Sequence, residues 1–495
     1  MLFNSLTYLL FLAAMVPLYW VLPHVLRRPM LLVASFVFYC WWRWQYGLLF
    51  GASILVNFYM ATLVHARPSR MTRALPVIVN LGILGYYKYL GFLARTANDL
   101  IAFVTHTRPV PVVDVLLPLG ISFFTFQAMS YVIDVARRDR DPEKSVFDFA
   151  FFLAFWPHLI AGPLMRSHEL IPQLMQRHTL RYDHIAEGLK RIVFGLFLKV
   201  VLADNISPFV DEGFSAATWA RNSALDNWTL AFAFGLQIYF DFAGYSSIGI
   251  GSARLMGFTL SENFDFPYVA TSPRDFWKRW HITLSSWIRD YLYIPLQGLV
   301  AQPSHSTGGL AVDADPAAKG GRRRSNVALV MTWMIMGLWH GANWTFVLWG
   351  LWHAMLILGH RALGGAAKAS PSFAKVRATA LGRWTGAALT LAGSMVGWIF
   401  FRAPNVRQAL KMVGTLCDPR RYGHLSYKEN FYLLTFLCTA AFYVAYALHR
   451  RIASARPGGL WDRFGFVPAS LCYTVVVTLV LGFLRGRQQF IYFQF

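Results

Sequence analysis

Residues 327–360 read VALVMTWMIMGLWHGANWTFVLWGLWHAMLILGH and contain no Asp, Glu, Lys or Arg. Two apolar runs, 327–340 and 345–360, are joined only by the short sequence from His340 to Trp344. At about 1.5 Å per helical residue, each run is shorter than the roughly 30 Å hydrocarbon core of a bilayer. The stretch therefore predicts two half-length membrane helices joined by a tight turn, with His340 inside the membrane.

Similar apolar runs extend to both sides of this stretch. Of the 495 residues, 56% are hydrophobic and only 14% are charged, against about 25% charged residues in soluble domains. The other candidate membrane segments are 5–22, 29–42, 46–64, 74–94, 116–135, 146–162, 188–204, 228–250, 384–401, 430–448 and 467–485. This pattern predicts an all-α polytopic membrane protein, with a single transmembrane domain over residues 1–495 and about 10–12 transmembrane helices.

The net charge of +22 comes from basic residues in short clusters between the apolar runs. This distribution is typical of the positive-inside rule and disfavours nucleic acid as a partner. The clusters after the first, third and fifth predicted helices are Arg27–Arg28, His65–Arg73 and Arg137–Lys144. We expect these loops in the cytoplasm and both termini on the extracytoplasmic side. Because 166–181 is basic as well, segment 146–162 is predicted to be re-entrant.

Ionisable side chains in membrane segments are costly and indicate function. His340 meets this criterion, and three tryptophans surround it in the sequence, Trp339, Trp344 and Trp349. A neutral imidazole in a dry pocket is suited to act as a general base toward a hydroxyl group. The alternative is a core histidine whose two ring nitrogens are both hydrogen-bonded.

His281 lies in DFWKRWHITLSSWIRDYLYIPL, residues 275–296, where basic and aromatic side chains are interleaved. Such a segment is typical of an interfacial helix, and we expect it to be re-entrant or to lie in the membrane plane. Lys278 and Arg279 are predicted to attract the phosphates of a coenzyme A or phosphopantetheine donor. His281 would then lie near a water-accessible cytoplasmic mouth. The alternative is anchoring at the membrane surface.

Asp241 and Tyr245 belong to a further polar group within an apolar run, QIYFDFAGYSS at 237–247. We expect the Asp241 carboxylate to pair with an arginine or to orient a histidine. Ser122 and Gln127 are predicted to form hydrogen bonds in helix packing. No two of the four cysteines have the C-x-x-C spacing of metal ligands, so no metal site is predicted.

Nine motifs in this chain resemble those of the membrane-bound O-acyltransferase (MBOAT) superfamily. Within it, the chain is most similar to the bacterial branch that contains the alginate O-acetylation membrane protein. The motifs are MLFNSLTYLLFL at 1–12, NLGILGYYKYL at 80–90, LPLGISFFTFQAMSYVIDV at 117–135, FWPHLIAGPLMR at 155–166, QIYFDFAGYSSIGIG at 237–251, NFDFPYVATSPRDFWKRWHITLSSWIRDYLYIPL at 263–296, GLWHGANWTFVLWG at 337–350, WIFFRA at 398–403 and FQF at 493–495. Their common order makes the resemblance specific.

The resemblance implies an MBOAT-like bundle with re-entrant or broken helices around a central funnel, and with its core motifs within 117–350. It implies an O-acyltransferase that moves an acetyl group from a cytoplasmic thioester, acetyl-coenzyme A or an acyl carrier protein, across the bacterial inner membrane. The implied acceptor is an extracytoplasmic polysaccharide, alginate or a similar exopolysaccharide, reached with an SGNH-type acetyltransferase partner. No tightly bound cofactor is expected.

Carried over by position, the resemblance implies His340 as the catalytic histidine and His281 as the second one. Together with the patterns above, it gives the following expected donor- or substrate-binding residues: Arg279, Lys278, Trp280, Trp339, Asn343, Asp241 and Tyr245. The chain departs from the family pattern at Ser247, where the family has an acidic residue, and in the longer polar loop at 302–325.

Two other functions are compatible with the sequence. Broken helices and polar groups at the membrane midplane also occur in transporters, so a polysaccharide or lipid transporter is one alternative. The lack of a detectable repeat of segments disfavours it. The other alternative is a non-catalytic membrane subunit of a polysaccharide-modifying complex, which the presence of both histidines within full motifs disfavours.

Overall fold

The computed structural model describes most of the chain. The described ranges are 1–113, 115–160, 162–298, 321–453, 466–484 and 490–491. Most of the polar loop at 302–325 therefore lies outside the described residues. Within these ranges the regular elements are helices and there is no strand, which confirms the prediction of an all-α protein.

The helices of the first half are α1 (Leu6–Val21), α2 (His24–Cys40), α3 (Trp44–Ala66), α4 (Arg70–Leu84), α5 (Leu90–Thr105), α6 (Ile121–Arg137), α7 (Val146–Ala154), α8 (Trp156–Leu159), α9 (Ser167–Met175), α10 (Tyr182–Leu196), α11 (Asp204–Gly213) and α12 (Ala224–Leu255). Those of the second half are α13 (Pro273–Arg279), α14 (Ile282–Ile288), α15 (Ile294–Leu296), α16 (Gly321–His340), α17 (Trp344–Ala369), α18 (Pro371–Ala378), α19 (Ala380–Arg402), α20 (Val406–Leu416), α21 (Glu429–Ala453) and α22 (Phe466–Phe483). Turns of π-helix at Gly85–Tyr89, Phe197–Ala203 and Arg289–Tyr293 connect α4 to α5, α10 to α11 and α14 to α15.

Six helical runs of the described chain are long and apolar enough to cross a membrane. These are α3, Arg70–Thr105, Tyr182–Gly213, α17, α19 and Glu429–Arg451. Large apolar side chains also cover the outside of the bundle; Val21, Phe103 and Trp384 are 82%, 87% and 75% exposed. A surface of this kind requires lipid rather than water around it, so the protein is a multi-pass membrane protein, as predicted.

The charged helix ends meet on one side of the bundle, which we call the basic face. Arg138, directly after α6, donates to the backbone carbonyl of His65, near the end of α3, over 2.9 Å. Arg27 donates to the carbonyl of His178, just before α10, over 3.0 Å. The loops that the sequence assigns to the cytoplasm therefore lie together.

The segment predicted to be re-entrant is broken into α7, of nine residues, and α8, of four. At its start, Asp148 lies 3.8 Å from Arg28 at the beginning of α2. After its end, Arg166 lies 3.4 Å from Asp290. The Asp290 carbonyl in turn accepts a hydrogen bond from Arg137 at the end of α6. The segment thus enters and leaves at the basic face, as the sequence predicts.

Helices α16 and α17 pack with their backbones in contact. A Cβ atom at Gly337 would lie 2.1 Å from the carbonyl oxygen of Phe346, and one at Gly350 would lie 2.1 Å from that of Trp333. Any larger residue at either glycine would force the helices apart, which is the usual reason for small residues between membrane helices.

The prediction that these two helices have half the usual length is wrong. Helix α16 has 20 residues and α17 has 26, or about 30 Å and 39 Å at 1.5 Å per residue. Both continue beyond the apolar runs, because α16 begins in the basic sequence at Gly321 and α17 extends to Ala369. His340 is consequently buried by the chain around it, and the length of the helices does not explain its burial.

Helix α12 passes through the centre of the protein and is buried along most of its length. It contacts α10 through paired glycines: a Cβ at Gly195 would lie 2.6 Å from the Gly244 oxygen, and one at Gly244 would lie 2.7 Å from the Gly195 oxygen. This close approach holds the middle of α12, with Asp241 and Phe242, in the core.

Candidate active site

A cavity of about 690 Å³ lies beside the end of α16. Its lining residues are Met1, Leu2, Ser5, Thr7, Trp41, Trp42, Lys88, Leu116, Leu117, Pro118, Leu119, Gly120, Ile121, Ser122, Phe123, Ile160, Trp339 and His340. Most are apolar and a few polar groups converge on the space, as in substrate sites generally. The cavity lies away from the basic face, because it is lined by the opposite ends of α2 and α6.

His340 is the last residue of α16 and lines the cavity. It is 4% exposed, and its ring contacts those of Trp339, Trp349 and Phe401 with centroid distances of 4.9, 4.9 and 5.2 Å. The contacts are edge-to-face, an arrangement that aromatic rings favour. The imidazole is therefore held at the cavity wall, with apolar rings on several sides and the cavity on another.

The carbonyl groups at the end of α16 find donors on the π-helical turn after α4. Tyr89 Oη donates to the carbonyl of Leu338 over 2.9 Å. Lys88 Nζ donates to the carbonyl of Trp339 and, over 3.3 Å, to that of His340. The last carbonyls of a helix have no donor within the helix, so this turn fixes the backbone that carries His340.

His281 is fully buried and adopts a left-handed backbone conformation, with φ of 43°. Its Nδ1 lies 3.2 Å from Oδ1 of Asn263, which also accepts a hydrogen bond from Thr283 over 2.7 Å. Its Nε2 has no hydrogen-bond partner among the described residues. The ring packs edge-on against Phe242, with centroids 4.6 Å apart.

One aromatic ring, that of Phe123, lies between the surroundings of the two histidines. Its centroid is 6.4 Å from that of His281 and 5.7 Å from that of Trp339. Since Phe123 and Trp339 line the cavity, His281 lies in the layer of side chains behind its wall. The prediction of water access at His281 is wrong, because the ring has no exposed surface.

Comparison with known proteins relates most of the chain to a protein family. The sequence model of the membrane-bound O-acyltransferase family matches residues 110–312. Over 423 residues, 84% of this chain and 78% of the relative, the chain is 39% identical to the probable alginate O-acetylase AlgI of Azotobacter vinelandii. The chain belongs to the MBOAT family. It is therefore a membrane-bound O-acyltransferase.

Other relatives of this MBOAT protein act on other polymers, according to their names. The peptidoglycan O-acetyltransferase of Helicobacter pylori is 33% identical over 444 residues, 82% of this chain and 78% of that protein. The teichoic acid D-alanyltransferase of Bacillus subtilis is 26% identical over 258 residues, 52% of this chain and 62% of that protein. The stretch matched by the family model contains His281 and ends before His340.

The cavity of this MBOAT protein brings His340 together with Trp339, whereas the other residues predicted to bind donor or substrate lie elsewhere. Trp280 is buried and stacks on Phe276, with centroids 5.7 Å apart. Asn343 caps the start of α17, and its side-chain amide donates to the carbonyl of Pro404 over 3.0 Å. The binding roles of Trp280, Trp339 and Asn343 stay predictions.

Asp241 and Tyr245 belong to a buried polar cluster within the core. Asp241 lies 2.7 Å from the ammonium of Lys199, which also lies 2.7 Å from Asp204. The other Asp241 oxygen accepts the Ile491 N–H over 2.6 Å. The expected arginine or histidine partner of Asp241 is thus a lysine. Tyr245 donates to the side chain of Asn4 over 2.9 Å.

The two basic residues predicted to attract the donor differ in their surroundings. Lys278 is exposed. Arg279 forms ion pairs with Asp265 and Asp275, each over 2.9 Å. Both residues end α13, which follows the loop after α12. The start of α10 packs beside the end of α12, where Arg254 contacts Glu187 over 2.8 Å, so this region belongs to the basic face.

Lys88 is a charged residue of the cavity wall for which the sequence predicted no role. It is the single charged residue of the apolar run 74–94. The rule that an intramembrane charge indicates a functional site applies to it as directly as to His340. Its proximity to His340, 252 residues further along the chain, could not be read from the sequence.

Proposed function

We propose that this MBOAT protein transfers an acetyl group from a thioester donor on the cytoplasmic side of the inner membrane, with His340 as the general base. The receiving hydroxyl is presented at the cavity by a polysaccharide, alginate or a similar exopolysaccharide, or by an SGNH-type extracytoplasmic acetyltransferase that carries the group onward. The observation that carries the proposal is the position of His340 on the cavity wall. The names of the relatives, an alginate O-acetylase and a peptidoglycan O-acetyltransferase, support acetyl as the acyl group.

The two sides of the bundle support this direction of transfer. The basic loops lie together on the basic face, and basic loops of membrane proteins remain in the cytoplasm. The cavity lies at the opposite helix ends and therefore opens outward. A donor that enters from the basic face and an acceptor that enters the cavity would meet near His340.

The chemistry requires removal of one proton. A ring nitrogen of His340 takes the proton of the acceptor hydroxyl as its oxygen attacks the thioester carbon. The aromatic rings around His340 keep bulk water away from the reacting groups, which limits hydrolysis of the thioester. His281 acts at a distance, because its ring lies against Phe123, which lines the cavity.

The orientation can be measured by cysteine labelling. In a cysteine-free background, Thr107→Cys, beyond the end of α5 on the cavity side, is expected to react with a membrane-impermeant maleimide in intact spheroplasts. Arg323→Cys, at the start of α16, is expected to react only after permeabilisation, because the positive-inside rule places that end in the cytoplasm. Labelling of Arg323→Cys from outside would reverse the assignment of the two faces.

The role of the basic face in donor binding is open to a second measurement. Arg279→Gln removes the cation that neutralises Asp265 and Asp275, so the local charge becomes more negative. We expect the donor KM to rise about tenfold, or about 1.4 kcal/mol, with kcat nearly constant. The matched control is Arg383→Gln, which removes an exposed arginine in the first turn of α19. Equal donor KM values for wild type and Arg279→Gln would restrict Arg279 to an anchoring function.

A further inference from the structure

We propose that Lys88 supplies the positive charge that stabilises the oxyanion formed during acyl transfer at His340. The inference rests on the proposed function, since it adds a residue to the reaction at His340. It starts from three observations: the position of the Lys88 nitrogen on the cavity wall, its contacts with the end of α16, and its lack of an acidic partner in the described part of the chain.

The Lys88 ammonium is held in place by dipoles. It donates to the carbonyls of Trp339 and His340, and it lies 5.7 Å from the centre of the Trp339 ring. The carbonyl end of a helix carries partial negative charge, and an aromatic face also attracts a cation. These contacts fix the nitrogen near the backbone of His340.

No carboxylate among the residues that the structure describes balances this charge. Among the described residues, the ion pairs closer than 4.0 Å involve other cations, and none includes Lys88. A cation removed from bulk water without an acidic partner is costly. When Lys88 is protonated, no described carboxylate neutralises its charge, and that charge can act on an anion inside the cavity, which Lys88 lines.

The number of hydrogen-bond donors on the Lys88 ammonium leads to the same conclusion. An ammonium has three N–H groups, and the two carbonyls account for two of them. The third is available to a group in the cavity, which Lys88 lines together with His340. A fixed donor directed at developing negative charge is one of the most effective catalytic devices, because it needs no rearrangement during the reaction.

The reaction step is balanced as follows. The acceptor O–H bond breaks, its proton goes to a ring nitrogen of His340, and the oxygen bonds to the thioester carbon. The π electrons of the acyl carbonyl move to its oxygen and form the oxyanion, which accepts a hydrogen bond from Lys88. When the carbonyl forms again, the C–S bond breaks. The leaving thiolate takes the proton from His340, so that an ester and a thiol result.

The test compares Lys88→Met with Lys88→Arg in purified protein, with labelled acetyl donor. Loss of a hydrogen bond to a charged group corresponds to about 10- to 100-fold, so Lys88→Met is expected to lower kcat by that factor with donor KM within about twofold. Lys88→Arg keeps the charge and is expected to retain most of the rate. The matched control Arg95→Met, an exposed cation on α5, is expected to retain wild-type kcat.

A chemical rescue separates charge from folding. In Lys88→Ala the shortened side chain leaves room in the cavity, and added propylammonium is expected to restore part of kcat, whereas propanol of the same size is not. The inference is overturned if folded Lys88→Met keeps wild-type kcat, or if propanol rescues as well as propylammonium. If these variants are active while His340→Ala is inactive, only this inference fails. If His340→Ala is fully active, the proposed function fails as well.

Discussion

His340→Ala is expected to lower the rate of acetyl transfer by about 100- to 10,000-fold, the range that a general base contributes, while the protein remains folded. The imidazole lies at the cavity wall and is held by the rings of Trp339, Trp349 and Phe401. Alanine leaves these rings in place and removes the proton acceptor. The rate should be measured under single-turnover conditions with purified protein and labelled donor, so that product release does not mask the chemical step.

The matched control is His353→Ala. His353 is also a buried histidine, and its ring contacts that of Trp349, with centroids 5.0 Å apart. It lies on α17, about one helical turn after Trp349. Its loss creates a similar void without removing a group from the cavity wall, so we expect near wild-type turnover per folded molecule. His281→Ala should lower the rate less than His340→Ala, since His281 lies behind the wall. Turnover of folded His340→Ala close to that of wild type would contradict the assignment.

Of the substitutions proposed for this protein, Lys199→Met is expected to lower its stability the most. The Lys199 ammonium pairs with Asp204 and Asp241, both over 2.7 Å, and the side chains of Lys199 and Asp241 are 2% and 3% exposed. Removal of one partner from a buried ion pair costs about 3–5 kcal/mol, because the remaining charge stays buried without compensation. The variant should show a clearly lower thermal midpoint in detergent and a lower yield of monodisperse protein.

The double variant Lys199→Met/Asp241→Asn provides the corresponding control. It removes the uncompensated carboxylate together with the lysine, so it is expected to recover a large part of the lost thermal stability. A double variant as unstable as Lys199→Met would show that packing of the lysine chain, and not charge, determines the effect.

The sequence predicted the helices well, because apolar runs are a direct consequence of the lipid solvent. It also predicted the re-entrant segment, since the basic clusters on both sides of 146–162 require both ends at one face. The helix lengths were less predictable. Helix α16 continues through Arg322 to Arg324, where charged side chains at a helix end reach water and do not terminate the helix.

Contacts between distant parts of the chain were not predictable. Asp241 was singled out as a buried carboxylate, but its partners are a lysine on a π-helical turn and the Ile491 backbone, 250 residues away. Lys88, on the π-helical turn after α4, and His340, at the end of α16, are likewise far apart in the sequence and close together in the structure. A single sequence shows which residues are unusual for their surroundings, and it carries no information on which of them are neighbours.

The docking of Ile491 on Asp241 has a consequence for how the protein is made. Phe490 and Ile491 are buried at 0% and 2% exposure, and Phe490 packs on Tyr245 with centroids 4.3 Å apart. Membrane helices are inserted in the order of their synthesis, so α12 enters the bilayer long before this segment exists. Until residue 491 has emerged, the centre of the bundle is missing an aromatic ring and a backbone donor. We therefore expect nascent chains to stay accessible to the insertion machinery and susceptible to membrane proteases until this segment docks. After docking, the chain is expected to resist proteolysis.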